Sequence, residues 1–481
     1  MGGSLVKNTT IYALGDIAPK VLSFIIFPIL TTYLSPAEYG IVNYINSIIT
    51  FLMAFGVLGL NTYYLVHYYK LEDEREKKKL LGNLSIFIFL FNTLLSILIF
   101  IVGPYFFKYF ETNIPFYPYM VIGLVTNIFN IIPVLPSALY RLQERPLPLT
   151  LLNILKGFVS FGFTLWLVVA WGFKAEGLLI AQMLIGIIFG IIFGWITIKN
   201  MIWNINFQQL KKALAFSLPL VPGTICYLLL STSDRILIDK YVGLSQLGIY
   251  STAATLAGLL SIISLGAYKA FEPYIFKKFG SEEFIANFKK LRDGFYLVIL
   301  CGAFGLALFS NDFLIFFASP KYYSSSFYIP ILLIGIVASS LTRLYSTVIT
   351  ARGKTKINSA IIIFDGLFSV TLNIIFLRFM GILAACITSS LTLSLTLLIS
   401  IYFSKIKISN KRIYFSSLLI AGIVFLFGYC ISIENVVLSI CVKFMVYVGV
   451  CIMACYILGY NLSSVLSFSI INRNSKKQAK I

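Results

Sequence analysis

Six basic side chains sit inside the long apolar runs of this 481-residue chain: Lys20, Lys156, Arg235, Lys269, Arg343 and Lys443. A Lys or Arg at the centre of a spanning helix costs about 2.5–3.5 kcal/mol on insertion scales, so such residues line water, pair, or reach for the interface. A fixed cation in a wet cavity can replace the hydration shell of an anion. Arg grips phosphate through two parallel N–H donors, whereas Lys acts as a compact point charge. Carboxylates at depth are fewer: Asp16 and Asp365, with Asp234 and Glu272 nearer the ends of their runs. The sign of this balance predicts an anionic substrate; an organic cation would call for the reverse.

The six cations differ in depth. Lys20 lies about 11 residues, or about 16 Å, into its apolar run and so near the midplane. Lys156 and Arg343 lie about 8 and 7 residues from the cytoplasmic ends of theirs, within about 12 Å of that surface. These three are the leading candidates for substrate binding, with Arg235 and Lys269 behind them. Arg235 adjoins Asp234, and a structural pair at an outer gate competes with substrate contact there. Lys269 is close enough to a run's end to snorkel, and Lys443 either snorkels or pairs with Glu434. Asp16 and Lys20 are spaced i, i+4 and share a helix face with Pro19 between them. Asp16 either neutralises Lys20 or releases it on protonation. Asp16, Asp234 and Asp365 are therefore the coupling or gating candidates.

Composition supplies the elements that position these residues. The chain is 59% hydrophobic and only 12% charged, with a mean hydropathy of +0.92. A soluble domain is about a quarter charged, so an aqueous enzyme, a nucleic-acid module and a secreted disulfide scaffold are all excluded. The runs are continuous rather than alternating, which selects helices over a β-barrel. Fourteen spans are expected, at 9–34, 39–66, 82–107, 117–140, 148–170, 176–198, 213–238, 247–271, 294–317, 327–350, 357–377, 381–404, 413–432 and 437–460. Outside the spans, one set of connectors carries 27 Lys and Arg and the opposite set 5. That asymmetry puts both termini in the cytoplasm and accounts for the net charge of +20 without nucleic acid. The opening segment has no short apolar core followed by a small-residue cleavage site, so it reads as a retained first span.

An internal repeat organises the spans. YLSPAEYGIVN (33–43) superposes on YVGLSQLGIYS (241–251), LKGFVS (155–160) on FDGLFS (364–369), and EGLLIA (176–181) on MGILAA (380–385). The offsets are 208, 209 and 204 residues. Six spans repeat as six, giving an N-lobe at 1–204, a C-lobe at 205–405, and two extra spans with a basic tail at 406–481. Two six-helix lobes about a central cavity are the expected architecture. The repeat makes Asp365 the counterpart of Lys156.

The ordered set of features from 218 to 276 resembles polysaccharide flippases of the Wzx type, in the multidrug/oligosaccharidyl-lipid/polysaccharide (MOP) exporter superfamily. It comprises Pro219 early in a span, the Asp234-Arg235 pair, LGIYS with Gly248 and Tyr250, and a basic loop after a polar span end. The opening span with Asp16 and Lys20, LSPAEYGIVN, and the short RLQERP and ARGKTK loops also fit. The resemblance implies a MATE-like all-α fold in the bacterial plasma (inner) membrane. It further implies alternating-access transport of undecaprenyl-diphosphate-linked oligosaccharide to the outer leaflet, for surface polysaccharide such as lipopolysaccharide O-antigen. Membrane lipids, and a polymerase or other assembly proteins, are the implied partners, and the chain is expected to act as a monomer. No cofactor is expected; coupling to H+, to Na+ or to the membrane potential stays open.

Two related readings compete: a lipid II flippase, which shares the span count and a cationic cavity, and a multidrug cation antiporter, which the charge sign disfavours. A membrane glycosyltransferase would need a large extramembrane loop with carboxylates, and no loop here exceeds 22 residues. No Walker A sequence or metal-spaced His/Cys cluster occurs. His67, the single histidine, reads as interfacial, and the seven cysteines read as small buried hydrophobes. Prolines 19, 28, 133, 136, 219 and 222 mark candidate kinks.

Overall fold

A computed structural model describes residues 2–110, 112–406 and 436–457. Among them there is no strand. The helices are α1 (Gly2–Tyr33), α2 (Pro36–Val57), α3 (Leu60–Tyr68), α4 (Glu74–Tyr109), α5 (Tyr119–Asn130) and α6 (Val134–Leu142). They continue with α7 (Pro146–Thr164), α8 (Lys174–Asn200), α9 (Phe207–Ser217), α10 (Val221–Tyr241), α11 (Leu244–Lys278) and α12 (Phe284–Leu308). The last five are α13 (Ser310–Phe317), α14 (Ile329–Ala351), α15 (Thr355–Met380), α16 (Ile382–Ser404) and α17 (Val436–Ile457). Among the described residues, 11 helices are long and apolar enough to span a bilayer, and Ala18–Tyr33 and Leu438–Ala454 form shorter apolar segments. The expected span at 413–432 lies outside the described residues.

Helix punctuation follows local chemistry. Ser35 caps α2 in a reciprocal box with Glu38: the Glu38 amide donates to Ser35 Oγ at 3.2 Å and the Ser35 amide to Glu38 Oε2 at 2.7 Å. Pro36 sits at the first helical turn, where its missing N–H costs nothing. The expected span 39–66 is broken at Leu58 and Gly59, both left-handed at φ 48° and 70°. Leu58 closes α2 by donating its amide to the Ala54 carbonyl. The expected span 117–140 divides into α5 and α6 just before Pro133, and a short 3-10 turn containing Pro219 separates α9 from α10. Helix α1 instead runs through Pro19 and Pro28, where Ser23, Thr31 and Thr32 turn their hydroxyls onto the proline carbonyls.

The chain forms two compact units. The first holds 1–252, 317–324 and 362–388; the second holds 253–316, 325–361 and 389–481. This grouping by contact cuts across the lobe boundary at 204/205 read from the repeat. Within the first unit the cytoplasm-expected ends of α3, α4, α6 and α9 share an apolar core around Leu60, Tyr64, Leu80, Leu84, Leu135 and Leu210. Deeper down, Asn92 of α4 and Asn127 of α5 are mutually bonded, with Asn127 Nδ2 at 3.0 Å from Asn92 Oδ1 and 3.1 Å from Ser96 Oγ. Such amide pairs hold helices together where no hydrophobic drive exists. The stretch 317–324 is strapped onto the α1–α2 corner. Ser319 donates to Thr31 Oγ1 (3.3 Å), Lys321 to the Thr32 carbonyl (3.2 Å) and Tyr322 to the Leu34 carbonyl (3.1 Å). Burial pushes the Tyr322 phenol well up from its ordinary value, so it stays a donor throughout the usable pH range.

The first repeat match reappears as an exchange contact. A Cβ on Gly40 would run into the Leu244 carbonyl oxygen, and one on Gly248 into the Pro36 carbonyl oxygen. Gly40 and Gly248 are 208 residues apart, as are Pro36 and Leu244. Each glycine thus touches the partner of the other, the reciprocity of a two-fold contact. The obstruction is backbone, so it has little room to yield. Gly40→Ala or Gly248→Ala should each lower stability by about 1–3 kcal/mol, as overpacking does. Gly258→Ala, also on α11 but facing open space, should not. Thermal unfolding of purified variants in detergent checks this; equal melting of all three would refute the contact.

Candidate functional site

Helices α1 and α7 pack in parallel along a seam of small residues. Thr150 Oγ1 donates to the Ile11 carbonyl at 3.0 Å, Gly15 lies against Thr150, and Gly157 lies against Pro19 and Leu22. This register places Lys20, which follows Pro19, and Lys156, which precedes Gly157, at one level of the seam. Lys20 is exposed and Lys156 half-buried. Neither ammonium has a hydrogen-bond or ion-pair partner among the described residues. The Asp16 side chain lies outside the described residues, so its pairing with Lys20 is not on view.

Helices α10 and α15 repeat that arrangement within the same unit. Gly366 packs on the Cys226 carbonyl, and it is the repeat match of Gly157. The two helices run parallel through Asp234 and Asn373 as far as Tyr241, whose ring lies 4.7 Å beneath the Arg378 guanidinium. Asp234 is only 4% exposed, and its carboxylate is fully engaged. Tyr250 Oη donates to Oδ2 at 2.5 Å and Asn373 Nδ2 to Oδ1 at 2.6 Å, while Thr388 Oγ1 donates to Asn373 Oδ1 at 2.5 Å. Three helices, α10, α11 and α15, therefore meet on one buried carboxylate, and α16 joins them through Asn373. A charge taken out of water needs such donors or must be neutralised. On α15 the buried polar residues Asp365, Ser369 and Asn373 recur every four residues. They make a polar stripe about 12 Å long that ends on Asp234. Asp234 and Asp365, separate candidates in the sequence, share this seam. Arg235 is half-buried beside them.

In the second unit, Arg343 is half-buried on α14, one turn before Thr347. Thr347 Oγ1 is 2.7 Å from Tyr268 Oη, and Tyr268 also donates to Glu272 Oε1 at 3.0 Å. The guanidinium of Arg343 has no ion pair among the described residues and lies within electrostatic reach of the Tyr268 hydroxyl. Lys269, half-buried, adjoins Tyr268 on α11. Arg292, counted as a loop charge in the sequence, is 4% exposed in α12. It binds Asp293 through Nε (2.8 Å) and Nη2 (2.6 Å), and Tyr345 of α14 through Nη1 (3.3 Å). Its presence beside apolar Phe288 and Phe295 was the available signal. Lys443 pairs with Asp312 at 2.5 Å; Glu434, the partner expected from the sequence, lies outside the described residues. Of the candidate-kink prolines, Pro19 packs on Gly157 in the α1–α7 seam, while His67 takes no part in these clusters and stacks on Tyr63 at 3.8 Å. Among the described residues no three His, Cys, Asp or Glu side chains gather as a metal site.

The described residues form an all-helical, multi-pass architecture with charged and polar residues held at depth. The fold is similar to that of an inward-facing multidrug resistance MATE family transporter of the MOP superfamily, with a TM-score of 0.67 at 13% identity over 84% of this chain and 94% of the other. It is also similar to the lipid II flippase MurJ in an inward closed conformation, with a TM-score of 0.69 at 15% identity over 96% and 100%. At these identities the likeness speaks to fold. An uncharacterized membrane protein of Haemophilus influenzae (strain ATCC 51907 / DSM 11121 / KW20 / Rd) is 21% identical over 364 residues, 73% of this chain and 85% of its own. The MatE family matches residues 219–377. Residues 5–279 match the polysaccharide biosynthesis protein family, and the chain belongs to it. It is a multi-pass protein of the bacterial inner membrane.

The Asp234 cluster generates a test of its own. Leaving a buried carboxylate short of a donor costs about 1–3 kcal/mol, whereas removing both partners of a bond is nearly neutral. Asn373→Leu should therefore lower the melting temperature more than the Asp234→Leu/Asn373→Leu double variant. Additive losses in that cycle would show that the two side chains are not coupled.

Proposed function

We propose that this protein moves undecaprenyl-diphosphate-linked oligosaccharide repeat units from the cytoplasmic to the outer leaflet by alternating access, for surface polysaccharide synthesis. The observation that carries this reading is the pair of ammonium groups, Lys20 and Lys156, that have no partner among the described residues and are set at one level of the α1–α7 seam. A diphosphate carries the negative charge that two point cations can solvate, the glycan needs a wet path, and the polyprenyl tail can stay in lipid. In the second unit Arg343, also without an ion pair among the described residues, is a separate candidate for anion contact through its bidentate guanidinium. Membership of the polysaccharide biosynthesis family supports the substrate class.

Coupling falls to the Asp234 cluster in this reading. Asp234, Asn373, Thr388 and Tyr250 present several oxygens in a buried site, a donor set suited to a proton or to a hard monovalent cation such as Na+. Occupancy would change the hydrogen bonds that hold α10, α11, α15 and α16 together, and so bias one conformation over another. The fold likeness to MurJ favours lipid II as the second substrate reading. The buried carboxylates keep a cation antiporter as the third.

Loss of one hydrogen bond to a charged group costs about 1.5–3 kcal/mol, or about 10–100-fold in affinity. Lys20→Ala, Lys156→Ala and Arg343→Ala should therefore each cut surface polysaccharide export by at least tenfold, with normal membrane insertion. Lys20→Arg should retain most of it. Export assayed in cells lacking the native copy, beside immunoblots of membrane fractions, checks this. Full export by all three alanine variants would remove these cations from the site.

A further inference from the structure

Helix α17 lies antiparallel to α12 and α13, fastened at several heights. The Lys443–Asp312 ion pair holds one end. One turn on, Tyr447 stacks on Phe304 at 6.0 Å and 8° and meets Phe309 edge-on at 6.3 Å. It sits where α12 carries Gly305, at which an added Cβ would lie only 3.1 Å from the Tyr447 ring. Eight residues beyond Lys443, about 12 Å along the helix, Cys451 reaches α12. There its thiol hydrogen-bonds to both the Cys301 thiol and the Tyr447 hydroxyl. The two cysteines line one narrow crevice with Leu300, Phe304, Val450 and Ala454, and both are half-buried. The sequence had suggested only isolated apolar cysteines, since the pair is 150 residues apart.

We propose that Cys301 and Cys451 are a thiol modification site, a dithiol that closes reversibly into a disulfide and pins α17 to α12. The oxidant is a membrane-permeant small-molecule disulfide, R–S–S–R. One cysteine thiolate attacks a sulfur of R–S–S–R and expels RS−, leaving a mixed disulfide. The second cysteine thiolate attacks the protein sulfur of that bond and expels the second RS−. Two cysteine S–H protons end on two RSH, and one Cys301–Cys451 S–S bond forms. Thiols already in hydrogen-bond contact need only a small approach to reach bonding distance. The ion pair and the Tyr447 packing hold the register that makes the approach productive. Reductant reverses the step.

The test uses the full-length chain with a protease site inserted after Gly353, which separates the two cysteines on cleavage. Purified protein in nanodiscs is treated with 2,2′-dipyridyl disulfide, cleaved, and run on a non-reducing gel. The proposal expects the two fragments to stay joined, to part on adding dithiothreitol, and to part without it in Cys301→Ala and Cys451→Ala. Both alanine variants keep an apolar side chain in the crevice, and a control melt confirms their folding. Oxidation should also raise the melting temperature of the parent but of neither variant. Fragments that part in the oxidised parent, or that stay joined in either variant, would overturn the proposal.

Discussion

A charge in hydrocarbon has to be answered, and the way each one is answered organises this molecule. Lys443 meets Asp312, Arg292 meets Asp293 and Tyr345, and Asp234 is enclosed by Tyr250 and Asn373. Each of these satisfied charges ties two or more helices together at a defined height. Against that background Lys20, Lys156 and Arg343 stand out, because the described residues offer them no counter-charge. An ionisable residue kept at depth without an internal partner points to water or to a ligand. The same physics distinguishes the charges whose partners build the fold from those that have no partner among the described residues.

The glycines serve the same end by a different route. Without a hydrophobic drive between helices in lipid, close approach supplies the adhesion, and small residues permit it. Gly157 admits Pro19 and Leu22, and Gly366 admits the Cys226 carbonyl. These are matched positions of the internal repeat, one seam carrying Lys156 and the other Asp365 at the preceding residue. The two halves of the repeat share the packing position and differ in the sign of the neighbouring charge. Gly40 and Gly248 do likewise at the helix starts that follow the first span of each repeat.

Much of this was legible in the residues. Apolar runs gave the helices, the prolines at 133 and 219 marked real breaks, and the repeat matches turned out to be contact glycines. The break at Leu58 and Gly59 was hidden, because a left-handed leucine carries no sequence signal of its own. Arg292 was hidden among loop lysines, although its apolar neighbours placed it in a helix. The Asp234 cluster draws residues from 234, 250, 373 and 388, and single threonines and asparagines in greasy helices are too common to single out. Tertiary packing alone brings them together. Lys443 illustrates the limit well: local sequence suggested Glu434, while the observed partner, Asp312, is 131 residues away.

The central claim is the proposal that Lys20 and Lys156, which have no partner among the described residues, serve a lipid-linked diphosphate. Its most direct measurement is thermal stabilisation of the purified protein in nanodiscs by a polyprenyl-diphosphate oligosaccharide, beside lipid II and a panel of organic cations. A ligand at 100 times its Kd stabilises the native state by about 2.7 kcal/mol. The account predicts that shift for the polyprenyl-diphosphate oligosaccharide, and its loss when Lys20 and Lys156 are both alanine. Stabilisation by the organic cations and not by any diphosphate lipid would contradict it, and would move the substrate to Asp234 and Asp365.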